Sequence, residues 1–207
     1  MGGKIGFWNF LAKRYAKMSI PDMESYERKL DKTREYFNGD SKVFEFGCGT
    51  GSTAVLHSPF VKSILAIDFS PKMIEIARGK LVEHQVSNVT FEQTDIDKLP
   101  EGYGPFDVVM GMSILHLLDH RNDVLARVNA LLKPGGVFIS STACIGEARG
   151  VMKGILKAGA SIGLLPTIDF FTQNELIEDM RNAGFEIEYQ WQPNEKAAVF
   201  IAARKPL

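Results

Sequence analysis

The chain has 207 residues, 45% of them hydrophobic and 24% charged, with a formal net charge of −1. That length suits one domain with a sizeable buried core, and the near-neutral balance provides no global field to attract nucleic acid or an anionic membrane. Two cysteines, Cys48 and Cys144, are spaced for neither a metal motif nor a disulfide framework, which fits a reducing cytoplasm.

The start, from Met1 to Gly6, lacks the apolar core and cleavage site of a signal peptide, and Gly6 stands where a myristoylation motif wants Ser or Thr. The most apolar stretch, Gly150 to Leu165, is interrupted by Lys153 and Lys157 and is too short to span a bilayer. The expectation is a soluble cytoplasmic protein with no stable membrane insertion.

In chain order, Phe7, Leu11, Tyr15 and Met18 form an apolar edge at helical spacing, which Pro21-Asp22 interrupts. Tyr26, Leu30, Thr33 and Phe37 make a second stripe, with Asn38-Gly39 as its stop signal. Residues 1–40 therefore read as a helical cover. From Lys42 strands and helices alternate. Val43 to Phe46 is a strand running into glycines. Ser63 to Ile67 is another, ended by Asp68, and Ser70-Pro71 then opens a helix with a cap and a first-turn proline.

Val89 to Glu92 is the third strand, and Phe106 to Met110 the fourth, apolar enough to be buried on both faces. A helix over Arg121 to Leu132 follows. Lys133-Pro134-Gly135-Gly136 is expected to turn the chain into a strand from Val137 to Ser141. Thr172 and Glu175 have capping-box spacing ahead of a helix that stops at Gly184. Phe185, Ile187, Tyr189 and Trp191 alternate with polar residues, and Ala197 to Ala203 forms a last strand. With no helix between them, these two strands should pair antiparallel. The rest reads as an α/β fold, a mostly parallel sheet with helices on both faces.

Ligands on such sheets bind beyond the carboxyl ends of the strands, where the strand order reverses. There the chain places Gly47-Cys48-Gly49-Thr50-Gly51, and an acidic residue, Asp68, ends the next strand. Glycines allow a tight turn and a close ligand approach, and a carboxylate can accept both hydroxyls of a ribose. A dinucleotide fingerprint wants Gly or Ala where Ser52 stands, which disfavours a nicotinamide-dependent oxidoreductase.

Glu45, Gly47, Gly49 and Gly51 together resemble the first motif of class I S-adenosylmethionine (SAM)-dependent methyltransferases. Ile64 through Ile74 resembles the second motif, Phe91 through Ile96 the third, Phe106 through His116 the fourth, and Leu132 through Gly136 the segment after it. The order of the motifs is that of the family, and the chain looks closest to small-molecule enzymes of the quinone-biosynthesis type. The resemblance implies a Rossmann-like seven-stranded sheet of order 3-2-1-4-5-7-6 with an antiparallel terminal strand, SAM as cofactor, and a single domain over residues 1–207.

It also implies roles. The backbone of Gly47, Cys48 and Gly49 would cradle the methionine part of SAM, and Glu45 would belong to the same cofactor site; bracing the loop would also account for Glu45. Asp68 would hold the ribose, Phe69 and Met73 pack near the adenine, Asp95 accept from its amine and Ile96 touch the ring. Gly111 and Met112 would lie beside the sulfonium. His116 is the candidate general base, and Tyr15 and Tyr26 are lid candidates over cofactor and acceptor. Packing alone would also account for Met73, His116 and the two tyrosines, and a helix cap for Asp95. Residues 143–171 are expected to be a lid or acceptor-side insertion, and the acceptor a small, partly apolar molecule. A SAM-binding protein without catalysis is the other reading of the same motifs; oligomeric state is open.

Overall fold

The computed structural model describes residues 2–100, 102–146, 154, 158–160 and 165–207. Seven strands form one sheet: β1 (Lys42–Phe46), β2 (Ser63–Asp68), β3 (Val89–Gln93), β4 (Phe106–Met112), β5 (Leu132–Thr142), β6 (Glu186–Trp191) and β7 (Val199–Arg204). Their order is β3-β2-β1-β4-β5-β7-β6. The first five run parallel, while β7 pairs antiparallel with both β5 and β6. The sheet is therefore the Rossmann-like one that the motif resemblance implies.

Alternation along the strands sends successive side chains to opposite faces, and both faces are buried. On one side Phe44, Phe46, Val109 and Phe138 pack under α5 (Arg121–Leu131) and α6 (Gln173–Asn182), which supply Val124, Leu125, Val128, Leu176 and Met180. On the other side Val43, Val108, Met110 and Ile139 meet Ala54 of α3 (Ser52–His57) and Ile74 and Ala77 of α4 (Pro71–Glu83). Strand order reverses between β2 and β4, across β1. The chain leaving β1 is thus free to meet a ligand there.

Local signals act as expected at several ends. Ser70 Oγ accepts the Met73 N–H at 3.2 Å ahead of Pro71 in the first turn of α4. Thr172 and Glu175 close a reciprocal capping box on α6, and Gly184 takes φ +87° beyond its end.

Three expectations are corrected. Helix α1 (Gly2–Tyr15) stops before Met18, which is exposed; the helix buries Ala12 instead of a long apolar edge. Helix α2 (Met23–Arg34) ends ahead of Asn38-Gly39, because the Asn38 side chain and carbonyl close a separate turn with Asp40 and Ser41. Lys133 to Gly136 lies within β5 as a bulge. Leu132 pairs with Phe106 and Val137 with Val108, and the four residues between loop out. Pro134 has no N–H for a ladder, and Gly135 at φ +76° donates instead to the Lys205 carbonyl at 3.0 Å.

The apolar residues of the expected lid, Val151, Met152, Ile155, Leu156, Ile162 and Leu164, lie outside the described residues. The two ends of that segment are brought together: the Gly146 N–H donates to the Phe171 carbonyl at 2.8 Å, and the Asp169 N–H to the His116 carbonyl at 2.8 Å. Arg121 fixes the returning end. Its guanidinium sits 3.9 Å over the Phe171 ring and pairs with Asp169 and Asp179. Among the described residues, no helix is long and apolar enough to cross a membrane.

Candidate active site

The loop after β1 is bent by residues that a side chain would obstruct. Gly47 has φ +63°, and a Cβ on it would lie 2.6 Å from Ile114 Cγ1. Gly51 has φ +74°, and its Cβ would meet the Phe91 ring at 2.5 Å. Between them the Cys48 N–H donates to the Ile67 carbonyl at 3.0 Å, which docks the loop on the end of β2. Burial pushes the Cys48 thiol up, so it stays protonated and inert.

Asp68, at the carboxyl end of β2, is almost completely buried. Its Oδ2 accepts the Gly49 N–H at 2.9 Å and its Oδ1 the Ser70 N–H at 2.8 Å. Burial raises its pKa while these two N–H groups pull it down. Each oxygen accepts one backbone bond and retains capacity for another donor.

A cavity of about 300 Å³ opens beside this carboxylate, within the range of small-molecule sites. Asp68 and Phe69 bound it on the β2 side, and Asp95 and Ile96 on the β3 side. Gly47, Ile114, Leu117 and Leu118 close it from β1 and β4, and Trp8 and Pro166 complete the wall. Its lining is mostly apolar with carboxylates at its edge, and His120 Nε2 lies 2.7 Å from Asp97 Oδ2 near the rim.

Of the residues singled out in the sequence, Gly47, Asp68, Phe69, Asp95 and Ile96 converge on this cavity. The Asp95 carboxylate also caps the short turn Ile96–Lys98, as the cap expectation had it. Glu45 is fully buried in β1, and its Oε2 has no hydrogen-bond partner. Burial first, and the Asp68 charge second, push its pKa up to about 8. Tyr15 stands over the loop, its Cε1 3.9 Å from where a Gly49 Cβ would lie, and feels the Asp68 charge. Tyr26 is half-buried and feels Glu45, Tyr15 and Thr53.

Other candidates stand apart from the cavity wall. Met73 is buried in the first turn of α4. Gly111 makes room for the Phe46 ring, which a Cβ there would meet at 2.6 Å, and Met112 is half-buried at the end of β4. His116 sits in the short turn Leu115–Leu117; its Nδ1 is buried with no hydrogen-bond partner, and burial lowers its pKa. Trp8, Ile114, Leu117, Leu118 and His120 line the site without having been singled out. A signal existed for Trp8. It lies seven residues before Tyr15, two helical turns along one face, and the rings pack edge to face at 6.4 Å.

Residues 43–136 match the family model for a methyltransferase domain. This segment is therefore similar to the methyltransferase domain of class I SAM-dependent enzymes. It is 31% identical over 152 residues to a demethylmenaquinone methyltransferase from Leptospira interrogans, covering 66% of this chain and 60% of the relative. To a ubiquinone biosynthesis O-methyltransferase from Acinetobacter baylyi it is 28% identical over 153 residues, covering 71% of this chain and 64% of the relative. The matched region thus spans somewhat less than two thirds of these relatives. In fold it superposes on the DhpI–SAH complex with a TM-score of 0.74 at 21% identity, over 99% of this chain and 96% of that one. It also superposes on the [4+2]-cyclase SpnF with a TM-score of 0.73 at 20% identity, over 87% and 81%.

The residues present fit the family's cofactor. Asp68 has acceptor capacity for sugar hydroxyls, and the mostly apolar cavity that Phe69 and Ile96 help to line suits a purine. Glu45 and Asp68 are two buried acids, the Asp68 charge adding to the burial that raises the Glu45 pKa, and such a pair favours a cation beside it. Among the described residues, no cluster of three or more His, Cys, Asp or Glu is placed to hold a metal.

Proposed function

We propose that this chain transfers a methyl group from SAM to a small, partly apolar acceptor. The observation that carries the reading is the buried Asp68 carboxylate, bonded to Gly49 and Ser70 and open toward an apolar cavity. In this reading Asp68 takes the ribose hydroxyls, and Phe69 and Ile96 flank the adenine with Met73 behind them in the core. Asp95 accepts from the adenine amine. The Gly47, Cys48 and Gly49 backbone carries the amino-acid half, with Glu45 facing its ammonium, and Gly111 and Met112 lie beside the sulfur.

SAM, when bound, supplies a methyl already activated on a positive sulfur. What remains for the protein is to align the acceptor with it and keep water away. Tyr15 stands over the loop from the N-terminal side with Tyr26 near Thr53 and Glu45, and on the acceptor side Pro166 and Thr167 line the cavity. An acceptor with a proton to lose needs a base, and His116 offers a neutral imidazole with one buried, unpartnered nitrogen. The names of the relatives above support a quinone-type acceptor.

The test is incubation of the purified protein with methyl-labelled SAM and small-molecule extract fractions. Label transferred to a low-mass, partly apolar product is the expected result. Tight SAM binding with no labelled product from any fraction would leave a cofactor-binding protein without transferase chemistry.

A further inference from the structure

Beyond the cofactor loop, a half-buried cation reaches the end of β5 with no ion pair to an acid among the described residues. Lys29 lies three residues after Tyr26 on α2, so the two side chains share a face of that helix. Its Nζ donates to Ser141 Oγ at 3.0 Å. Lys29 is half-buried, and burial lowers its pKa; the opposing influence is the charge of Asp22, whose carboxylate already accepts the Ser25 N–H. No carboxylate of the described residues pairs with it.

The register fixes where this lysine stands. Glu45 of β1 pairs with Met110 of β4, and Met112 of β4 pairs with Ser141 of β5. Ser141 therefore lies level with Gly47, two strands away, or roughly 10 Å across the carboxyl ends of the sheet. Between them the chain leaves β4 through Ser113, a non-glycine residue at φ +56°, whose N–H donates to the Ser141 carbonyl at 2.7 Å. Backbone held in this sparsely populated region clusters at ligand clamps.

We propose that Lys29 and Ser141 form a carboxylate-binding subsite at the carboxyl ends of β4 and β5. It rests on the methyltransferase reading and adds the charge of what the site holds. A desolvated ammonium without a counter-charge is unfavourable, and an arriving anion relieves it. One ammonium with one hydroxyl matches a single negative charge and two oxygens, the chemistry of a carboxylate and not of a doubly charged phosphate. Two sources present that group here: the amino-acid end of the cofactor, and an acidic acceptor.

Two binding arms, on the full chain, distinguish them. In the first, calorimetry compares S-adenosylhomocysteine with 5′-(3-aminopropylthio)-5′-deoxyadenosine, which keeps the ammonium and lacks only the carboxylate. In the second, benzoate and its neutral isostere benzamide are titrated with and without S-adenosylhomocysteine, read at the Ser113 and Ser141 amide resonances. A cofactor carboxylate on Lys29 makes Lys29→Gln weaken S-adenosylhomocysteine about tenfold and leave the decarboxylated analogue unchanged. An acceptor carboxylate makes the same substitution abolish saturable benzoate binding and spare benzamide. Lys29→Arg, which keeps the charge, restores whichever preference the wild type has. The proposal is overturned if neither acid is preferred over its neutral counterpart, or if Lys29→Gln weakens acid and neutral ligands alike. Should S-adenosylhomocysteine fail to bind the wild type, the proposed function falls, while the benzoate arm still reads the lysine.

Discussion

Asp68 Oδ2 accepts the Gly49 backbone N–H at 2.9 Å, so one carboxylate joins the end of β2 to the loop that leaves β1. The same group that shapes the loop is the one proposed to receive the ribose. Asp68→Asn keeps the size and removes the charge, and sets an NH₂ near two backbone donors. Hydrogen bonds to a charged group contribute about 1.5–3 kcal/mol, so S-adenosylhomocysteine should bind at least about tenfold more weakly. Calorimetry checks this; an unchanged dissociation constant would remove Asp68 from the ribose role.

Glu45 makes stability fall as pH rises from 4.5 to about 8. Burial and the Asp68 charge raise its folded pKa to about 8, against an ordinary value of 4.5. Below pH 4.5 the group is neutral in both states and contributes no penalty. Between 4.5 and 8 the unfolded chain ionises and the folded one does not, so stability falls as pH rises, then levels off. Glu45→Gln should flatten that fall by a few kcal/mol on the order of the linkage for such a shift. Some slope will persist, because Asp68 is shifted in the same direction. Urea unfolding of both proteins at pH 5 and pH 8 measures it, and parallel losses in the two would sink the assignment.

His57 governs the acid side. Its imidazole is fully buried at the end of α3, edge to face with Phe37 at 5.1 Å, and neither nitrogen has a hydrogen-bond partner. Burial lowers its pKa to about 4 from 6.5, with Arg34 adding to the effect. Above 6.5 both states are neutral. As pH falls from 6.5 to 4 the unfolded chain takes up a proton that the folded one refuses, and stability is lost. His57→Phe keeps the ring contact and cannot be protonated, so its unfolding free energy should fall less between pH 6.5 and 4. Identical acid slopes for variant and wild type would contradict this.

His116 is tested by rate. Because burial keeps its imidazole neutral near pH 7, it is free to accept a proton. General-base catalysis contributes about 10²–10⁴-fold, so His116→Ala should slow transfer to a proton-bearing acceptor by about 10²-fold or more, with S-adenosylhomocysteine affinity unchanged. A wild-type rate with the true acceptor would leave His116 as a packing residue of the turn after β4.

The sheet was legible because its signals are local. Apolar runs that end in Gly47 and Asp68, the Ser70 cap and the Thr172–Glu175 box each specify a boundary within a few residues, and the strand order followed from the family motifs. Asp68, Phe69, Asp95 and Ile96 were legible as site residues because they follow directly on strand ends, where a parallel sheet presents ligands. The far wall was not. Trp8 reaches the cavity through the docking of α1, where Asn9 Oδ1 accepts the Ser70 hydroxyl at 2.8 Å, a contact 61 residues apart in sequence. Ile114, Leu117 and Leu118 read as ordinary core residues, since nothing in an apolar side chain says whether it faces a cavity or a neighbour. The bulge at Lys133–Gly136 was misread for a related reason. Pro-Gly-Gly signals a break in regular backbone, and only the pairing of Leu132 with Phe106 shows that the strand has begun before it, its register shifting across the bulge.

The central claim is that the switch point at β1 holds a nucleoside thioether on Asp68. The most direct measurement is calorimetric titration of the purified chain with S-adenosylhomocysteine and, separately, with NAD, alongside Asp68→Asn. The account predicts saturable one-to-one binding of S-adenosylhomocysteine that the substitution weakens, and no comparable heat from NAD. Tight NAD binding with no response to S-adenosylhomocysteine would contradict it.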